Sequence, residues 1–284
     1  MAGQEKREHT LWDGMATATD FAPYVRRWAL IPDGDPIVTH SSRLLPVLHA
    51  GAPAMLKVAT EAEERWGAGL MIWWGGRGAA RVLAHDDRAI LLERATGRHS
   101  LVHMAKNGAD DEASRIICKV VGALHEARAM PPLDLIPLEQ RFQALKAAPE
   151  GEIFARSAVA ARALLANPRD VVTLHGDIHH ANILDFGERG WLAIDPKRLK
   201  GERGFDYANL FCNPDHTVAT ARGRLARQVE VVARAAQLER SRLLHWILAW
   251  AGLSATWLIE DGEEEHVAPT LEVANIAVAE IDKS

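Results

Sequence analysis

The period at which apolar residues recur changes near residue 95, and that change bounds the folds open to the chain. Before it, short apolar runs alternate with turn residues: Leu44–His49, the turn Ala50-Gly51-Ala52-Pro53, then Ala54–Ala59. That pattern predicts a β-hairpin. A second pair of runs, Ala79–Ala84 and Ala89–Leu92, is joined by His85-Asp86-Asp87, and the Glu-rich stretch Thr60–Gly67 between the pairs favours one short helix. After the change, helical spacing dominates, with Ile116, Ile117, Val120, Val121 and Leu124 on one face of Asp110–Ala127. Further helices are expected at Leu138–Ala147, Glu152–Ala166, Thr217–Ala236, Arg240–Ile259 and Pro269–Ile281, with one β-like island at Val171–Asp195. The reading is an α+β, bilobed fold. A small antiparallel β lobe spans 1–95, a larger, mainly helical lobe spans 96–284, and a ligand is expected in a cleft between them.

Composition narrows the function. In 284 residues, 48% hydrophobic content suits a chain that builds its own core. A formal charge of -5 argues against general nucleic-acid binding, which needs clustered Lys and Arg, and suits a cationic small-molecule partner. Cys118 and Cys212 lie far apart with no C-x-x-C spacing, so neither a disulfide framework nor a zinc site is expected, and the compartment reads as cytoplasmic. The start MAGQEKREHT lacks a cationic segment followed by an apolar one, so no secretory signal is read. Leu243–Ile259 carries no formal charge, yet it falls short of the ~20 apolar residues of a membrane span. It also contains His245, Gly252, Ser254 and Thr256, which predicts a buried core helix and no membrane association.

The chemistry concentrates in VVTLHGDIHHANILDFGERGWLAIDPKR, residues 171–198. Asp177 and Asn182 stand at Asp-x-x-x-x-Asn spacing directly after a β-like run, the spacing by which a kinase catalytic loop presents a base and a metal ligand. A symmetric four-residue loop, Gly187-Glu188-Arg189-Gly190, would set Phe186 opposite Trp191 and Asn182 opposite Asp195. Two oxygen ligands side by side would suit magnesium.

HGDIHHAN followed by IDP resembles the Brenner-type motif of aminoglycoside phosphotransferases, whose fold is the two-lobed protein-kinase-like one. Within that family the chain is similar to the branch of streptomycin 6-kinases and hydroxyurea-type kinases, through WWGGRGAARVL, LLERA, LHGDIHHANIL, GWLAIDPKRLKGERGFDYANLF and LSATWLIEDGEEE, over roughly residues 35–280. The resemblance implies Asp177 as catalytic base, Asn182 and Asp195 as Mg2+ ligands, and ATP or GTP as phosphoryl donor. It implies Lys57 on the α- and β-phosphates with Glu64 as its partner, chosen over Glu61 and Glu63. Adenine would be read by the carbonyl of Glu93 and the amide of Ala95. His175 and Asp206 would order the catalytic loop.

One departure is visible: Thr39-His40-Ser41-Ser42-Arg43 has no Gly-x-Gly-x-x-Gly, so Ser41, Ser42 and backbone amides would cover the phosphates instead. Gly75-Gly76-Arg77-Gly78 precedes a strand and reads as a turn. For the acceptor, Trp257 offers a wall for a sugar ring, or core packing. The acidic run Glu260, Asp261, Glu263, Glu264 and Glu265 could attract a polycation, Asp261 and Glu264 first. The implied acceptor is an aminoglycoside, streptomycin at its 6-hydroxyl, with hydroxyurea or another small hydroxylated compound as the alternative. A metallophosphoesterase would need a further Asp-x-His besides Asp177-Ile178-His179 and a Gly-Asn-His cluster, and neither is present. A pseudokinase would lack Lys57, Asp177 or Asp195, and all three are there. Nucleotide choice and oligomeric state depend on backbone contacts and surfaces rather than on a motif.

Overall fold

The computed structural model describes residues 20–39, 41–60, 62–126 and 134–283, with side chains throughout except over 62–67. Contacts divide the chain into two compact units. The first runs to Gly76 and includes Ala80–Thr96; the second joins Arg77–Ala79 to Gly97–Ser284.

The first unit begins with helix α1 over 20–27, followed by the short strands β1 (Ile31–Pro32) and β2 (Ile37–Val38). The long hairpin is β3 (Ser42–His49) and β4 (Ala52–Ala59), turning tightly at Ala50-Gly51. Helix α2 (Ala62–Trp74) then leads to β5 (Val82–His85) and β6 (Ala89–Glu93). The sheet order is β1-β3-β4-β6-β5, with β2 also pairing β3. Period-2 alternation sends Ala54, Leu56 and Val58 of β4 into a core with Leu45, Val47, Ala89 and Leu91, closed by Phe21 and Leu30. Two expectations are corrected here. Helix α2 continues past Gly67, because Leu70, Met71 and Trp74 recur at helical spacing and are buried. The two-residue strands β1 and β2 are too short to carry a period and escape a pattern search.

The second unit opens with α3 (Leu101–Lys106), α4 (Asp110–His125), β7 (Ile136–Pro137) and α5 (Leu138–Arg141), then α6 (Glu152–Ala166). Strands β8 (Val171–Leu174), β9 (Ile183–Asp185), β10 (Trp191–Ala193) and β11 (Leu199–Glu202) follow, and then α7 (Phe205–Ala208) and α8 (His216–Ala219). Helices α9 (Arg224–Ala236), α10 (Arg240–Glu260) and α11 (Glu264–Ile281) complete the chain. The expected Thr217–Ala236 helix is two helices, broken before α9 by Gly223 in left-handed backbone. Among the described residues α10 alone is long and apolar enough to cross a membrane, and most of it is buried inside this unit against α6 and α11. It is buried around its whole circumference, from Leu243 to Thr256, and Trp246 and Trp250 meet Phe205 of α7 edge-on at 5.8 and 5.2 Å. That packing holds α7 under the loop after β8. Cys118 and Cys212 are free thiols, each pushed up to about 12 by burial.

Candidate active site

Strand β8 ends at Leu174, and the chain turns through His175-Gly176-Asp177. Gly176 has φ +86°, and a Cβ there would lie 2.7 Å from Leu199 Cδ1 and 3.0 Å from Lys197 Cβ, so only glycine fits. The buried carboxylate of Asp206 on α7 accepts the amide N–H groups of His175 (2.9 Å) and Gly176 (2.7 Å) and lies 2.8 Å from His125 Nε2. Asp206 thus orders the loop from below, as expected.

His175 is fully buried. Its Nδ1 accepts the Asp177 N–H at 3.3 Å and its Nε2 lies 2.8 Å from the Ile194 carbonyl. A carbonyl only accepts and an amide only donates, so the ring is the Nε2–H tautomer. Burial pushes its pKa down, against the opposing fields of Asp206 and Asp177, which keeps the ring neutral. One imidazole therefore ties the backbone of Asp177 to the residue before Asp195.

Asp177 has a partly exposed carboxylate with donors on both oxygens. Asn209 Nδ2 donates to Oδ1 at 3.0 Å and Asn182 Nδ2 to Oδ2 at 3.2 Å. Asn182 Nδ2 also donates to the Asp177 carbonyl at 2.9 Å, which fixes that amide's orientation. Its Oδ1 is left without a protein donor among the described residues.

The hairpin register differs from the symmetric expectation. Trp191 pairs with Asp185, Leu192 with Leu184 and Ala193 with Ile183, and Ile194 N–H donates to the Asn182 carbonyl at 2.9 Å. Ile194, not Asp195, stands opposite Asn182. The slip arises because Phe186 belongs to the turn: its N–H donates to Gly190 O, and the Asp185 carboxylate accepts the Gly187 N–H, each at 2.9 Å. Asp195 follows with φ +64°, which ends strand alternation there. Asp195 and Asn182 Oδ1 are hard oxygen donors, the kind magnesium takes in small number from protein when phosphates and water complete its shell. The residues present fit that ion. Among the described residues no three or more His, Cys, Asp and Glu side chains are grouped to hold a metal.

The turn after β9 is anchored from outside the hairpin. Asp185 Oδ2 accepts the His99 N–H at 3.1 Å and lies 2.9 Å from His99 Nδ1. The His99 contact, with the Gly187 and His99 amides, holds this carboxyl below its usual range despite burial. Gly97 passes so close that a Cβ would lie 1.9 Å from the Asp185 carboxylate carbon.

In the first unit, Lys57 is half-buried on β4, on the sheet face opposite Leu56 and Val58, between Leu44 and Ile90. Glu64 lies on α2 with its side chain outside the described residues, as does that of Glu63, and Glu61 lies outside them altogether. Glu93 ends β6, with Oε1 accepting the Arg81 N–H at 2.6 Å, and Ala95 follows it in the connecting segment. Ser42 corrects an expectation: it is buried, its Oγ lies 2.9 Å from Thr39 Oγ1 and its N–H donates to that hydroxyl at 3.0 Å. Its hydroxyl and amide are thus both engaged within the turn. Gly75-Gly76-Arg77-Gly78 is a turn, as expected.

At the far end of α10, the Arg141 guanidinium lies 4.3 Å from the centroid of the Trp257 ring, and Trp250 meets that ring edge-on at 5.7 Å. Trp257 is partly buried, with Arg141 stacked on one face of its ring. Asp261 and Glu264 are exposed, along with Glu260, Glu263 and Glu265, from the last residue of α10 across the turn into the first turn of α11. The residue that the motif reading missed is Asn209. It lies inside GFDYANLF but has no local signal, since its bond to Asp177 spans 32 positions.

The aminoglycoside/hydroxyurea antibiotic resistance kinase family matches residues 27–262. The chain is 49% identical to streptomycin 3''-kinase of Klebsiella pneumoniae, covering 90% of this chain and 98% of that protein. It is 34% identical to streptomycin 6-kinase of Streptomyces griseus over 90% and 86%, and 28% identical to hydroxyurea phosphotransferase of Kitasatospora aureofaciens over 92% and 77%. Aminoglycoside phosphotransferase APH(4)-Ia, solved with ADP and hygromycin B, is similar in fold at TM-score 0.64, with 13% identity over 90% of this chain and 96% of that one. By the family match and the 49% identical relative, the chain belongs to the aminoglycoside/hydroxyurea antibiotic resistance kinase family and is a small-molecule kinase.

Proposed function

We propose that the protein transfers the terminal phosphoryl group of ATP or GTP to a hydroxyl of streptomycin, with Asp177 as the general base. The observation that carries this reading is the Asp177 carboxylate, partly exposed and held by an amide donor on each oxygen. Asp177 would accept the proton of the attacking hydroxyl as the new oxygen–phosphorus bond forms and the bond to the nucleoside diphosphate breaks. Lys57 would pair with the α- and β-phosphates and Glu64 with Lys57, while Ser41 and nearby amides cover the phosphates and the Glu93–Ala95 backbone reads the base. Asn182 Oδ1 and the Asp195 carboxylate would hold Mg2+, which when bound neutralises charge on the phosphate oxygens. His175 and Asp206 keep the base in register.

Streptomycin is favoured because relatives at 49% and 34% identity are both named for it. The 3''-hydroxyl is the better reading, since the 49% relative is a 3''-kinase; the 6-hydroxyl expected from the motifs rests on the 34% relative. The test incubates protein, ATP, magnesium and streptomycin, looks for a mono-phosphorylated product by mass spectrometry, and assigns the position by NMR. Parallel incubations replace ATP with GTP and streptomycin with hydroxyurea. Robust phosphorylation of hydroxyurea with none of streptomycin would overturn the acceptor and leave the kinase chemistry standing.

A further inference from the structure

The torsion that orients a carboxylate about its Cβ–Cγ bond is soft and nearly two-fold, so packing alone does not set the plane of a catalytic Asp. Hydrogen bonds must do it. At Asp177 the donor to Oδ2, Asn182, is also the proposed metal ligand. The donor to Oδ1 has no such second duty. Asn209 opens the short helical turn after α7 and is buried, with Nδ2 3.0 Å from Asp177 Oδ1. Its own Oδ1 accepts from Trp250 Nε1 at 3.1 Å and from Asn213 Nδ2 at 3.0 Å. An indole N–H can only donate, so Trp250 settles which end of the amide faces it, and the NH2 end must face Asp177.

From this geometry we infer that Asn209 is a positioning residue for phosphoryl transfer, locked by Trp250 and Asn213 so that it fixes the plane of the Asp177 carboxylate. The inference rests on Asp177 being the base. Asn209 is buried, with its side chain engaged by Asp177, Trp250 and Asn213, so its loss should lower kcat and leave both KM values in place. Misplacing a reacting group by about an ångström can cost on the order of 100-fold.

Asn209→Asp is the discriminating variant. It keeps an acceptor for Trp250 and Asn213, and with it the structural role, but it turns a donor to Asp177 into a second carboxylate. The expected result is a kcat at least about 10-fold lower with KM for nucleotide and acceptor within about 2-fold. A kcat equal to wild type overturns the inference. If Asn209→Asp does not fold, the Asn209→Leu, Trp250→Phe double variant removes both polar partners together and is compared with Trp250→Phe alone. A further loss of at least about 10-fold in kcat supports the role, and equal kcat values overturn it. Asp177→Ala runs alongside, all with whichever acceptor the wild type phosphorylates. Retained turnover in Asp177→Ala removes the base assignment and this inference with it. An inactive Asp177→Ala beside a fully active Asn209→Asp removes the inference alone.

Discussion

Asp177, Asn182 and Asp195 sit within a short span of sequence, yet they are held by different means. Asp177 is fixed by hydrogen bonds from two amides, whereas Asp195 is set by a left-handed backbone that follows β10. Replacing Asp177 with Ala should lower turnover by roughly 10²- to 10⁴-fold, the usual worth of a positioned base, with nucleotide affinity little changed. Steady-state kinetics and nucleotide titration check both halves. Asp195 would bring a full charge to magnesium and Asn182 only a dipole, so Asp195→Asn should reduce activity more than Asn182→Ala. Each should raise the magnesium concentration needed for half-maximal rate. Unchanged metal titrations would remove the pair.

Between elements, two polar seams do work that apolar packing cannot. Helices α4 and α9 meet along Asp110–Arg224 and Ser114–Gln228, residues spaced by four on both helices, which places the two seams in step. The Arg224 guanidinium grips both Asp110 oxygens, at 2.8 and 3.1 Å, and both residues are buried. Arg224→Ala would strip both close hydrogen bonds from a buried carboxylate, leaving Arg227 Nη2 at 4.0 Å, and should cost about 3 kcal/mol, read as a lower urea midpoint. Changing Asp110 and Arg224 together to apolar residues should cost much less. Strand β11 is joined to α10 in the same way: Glu202 accepts from Arg242 Nε and Nη2 at 2.6 and 2.5 Å and from Trp246 Nε1 at 2.8 Å. Burial raises the Glu202 pKa, but these donors and the Arg169 amide outweigh it and hold the group below its usual value. A depressed carboxylate gives stability that is full above its unfolded pKa and lost as pH falls through the folded one. Wild type should therefore hold its stability down to about pH 4.3, the ordinary Glu value, and lose Glu202's share below it. Arg242→Ala removes the strongest of these donors, so the share of stability lost below that pH should shrink, which urea midpoints measured along a pH series would reveal.

Over the whole molecule the relevant quantity is charge. The chain carries a formal charge of -5, and Glu260, Asp261, Glu263, Glu264 and Glu265 are all exposed where α10 gives way to α11. Exposed carboxylates attract a polycation over a range set by salt, about 8 Å at physiological ionic strength. Paired amide changes at Asp261 and Glu264 should raise KM for streptomycin at low salt, and added salt should shrink the gap from wild type. Equal KM values at low salt would confine acceptor recognition to other residues.

The features decided by sequence alone are those whose physics is local. Apolar periods separate the sheet of the first unit from the helices of the second. The run from His175 to Asn182 carries the proposed base and metal ligand on one loop, and Gly176 is needed where that loop turns. Tertiary structure decided what depends on distant partners. The Asp185 side chain, anchored to 97–99, caps a turn that draws in Phe186 and slips the hairpin by one residue, moving Asp195 off the position opposite Asn182. Arg141 covers Trp257 from a helix far away in sequence, and Ser42 turns its donors onto Thr39. Asn209 reaches Asp177 only because α10, buried on all sides, places Trp250 against it. A hydrogen bond between residues far apart in the chain leaves no period and no spacing to read, so it becomes visible only once packing has brought its two ends together.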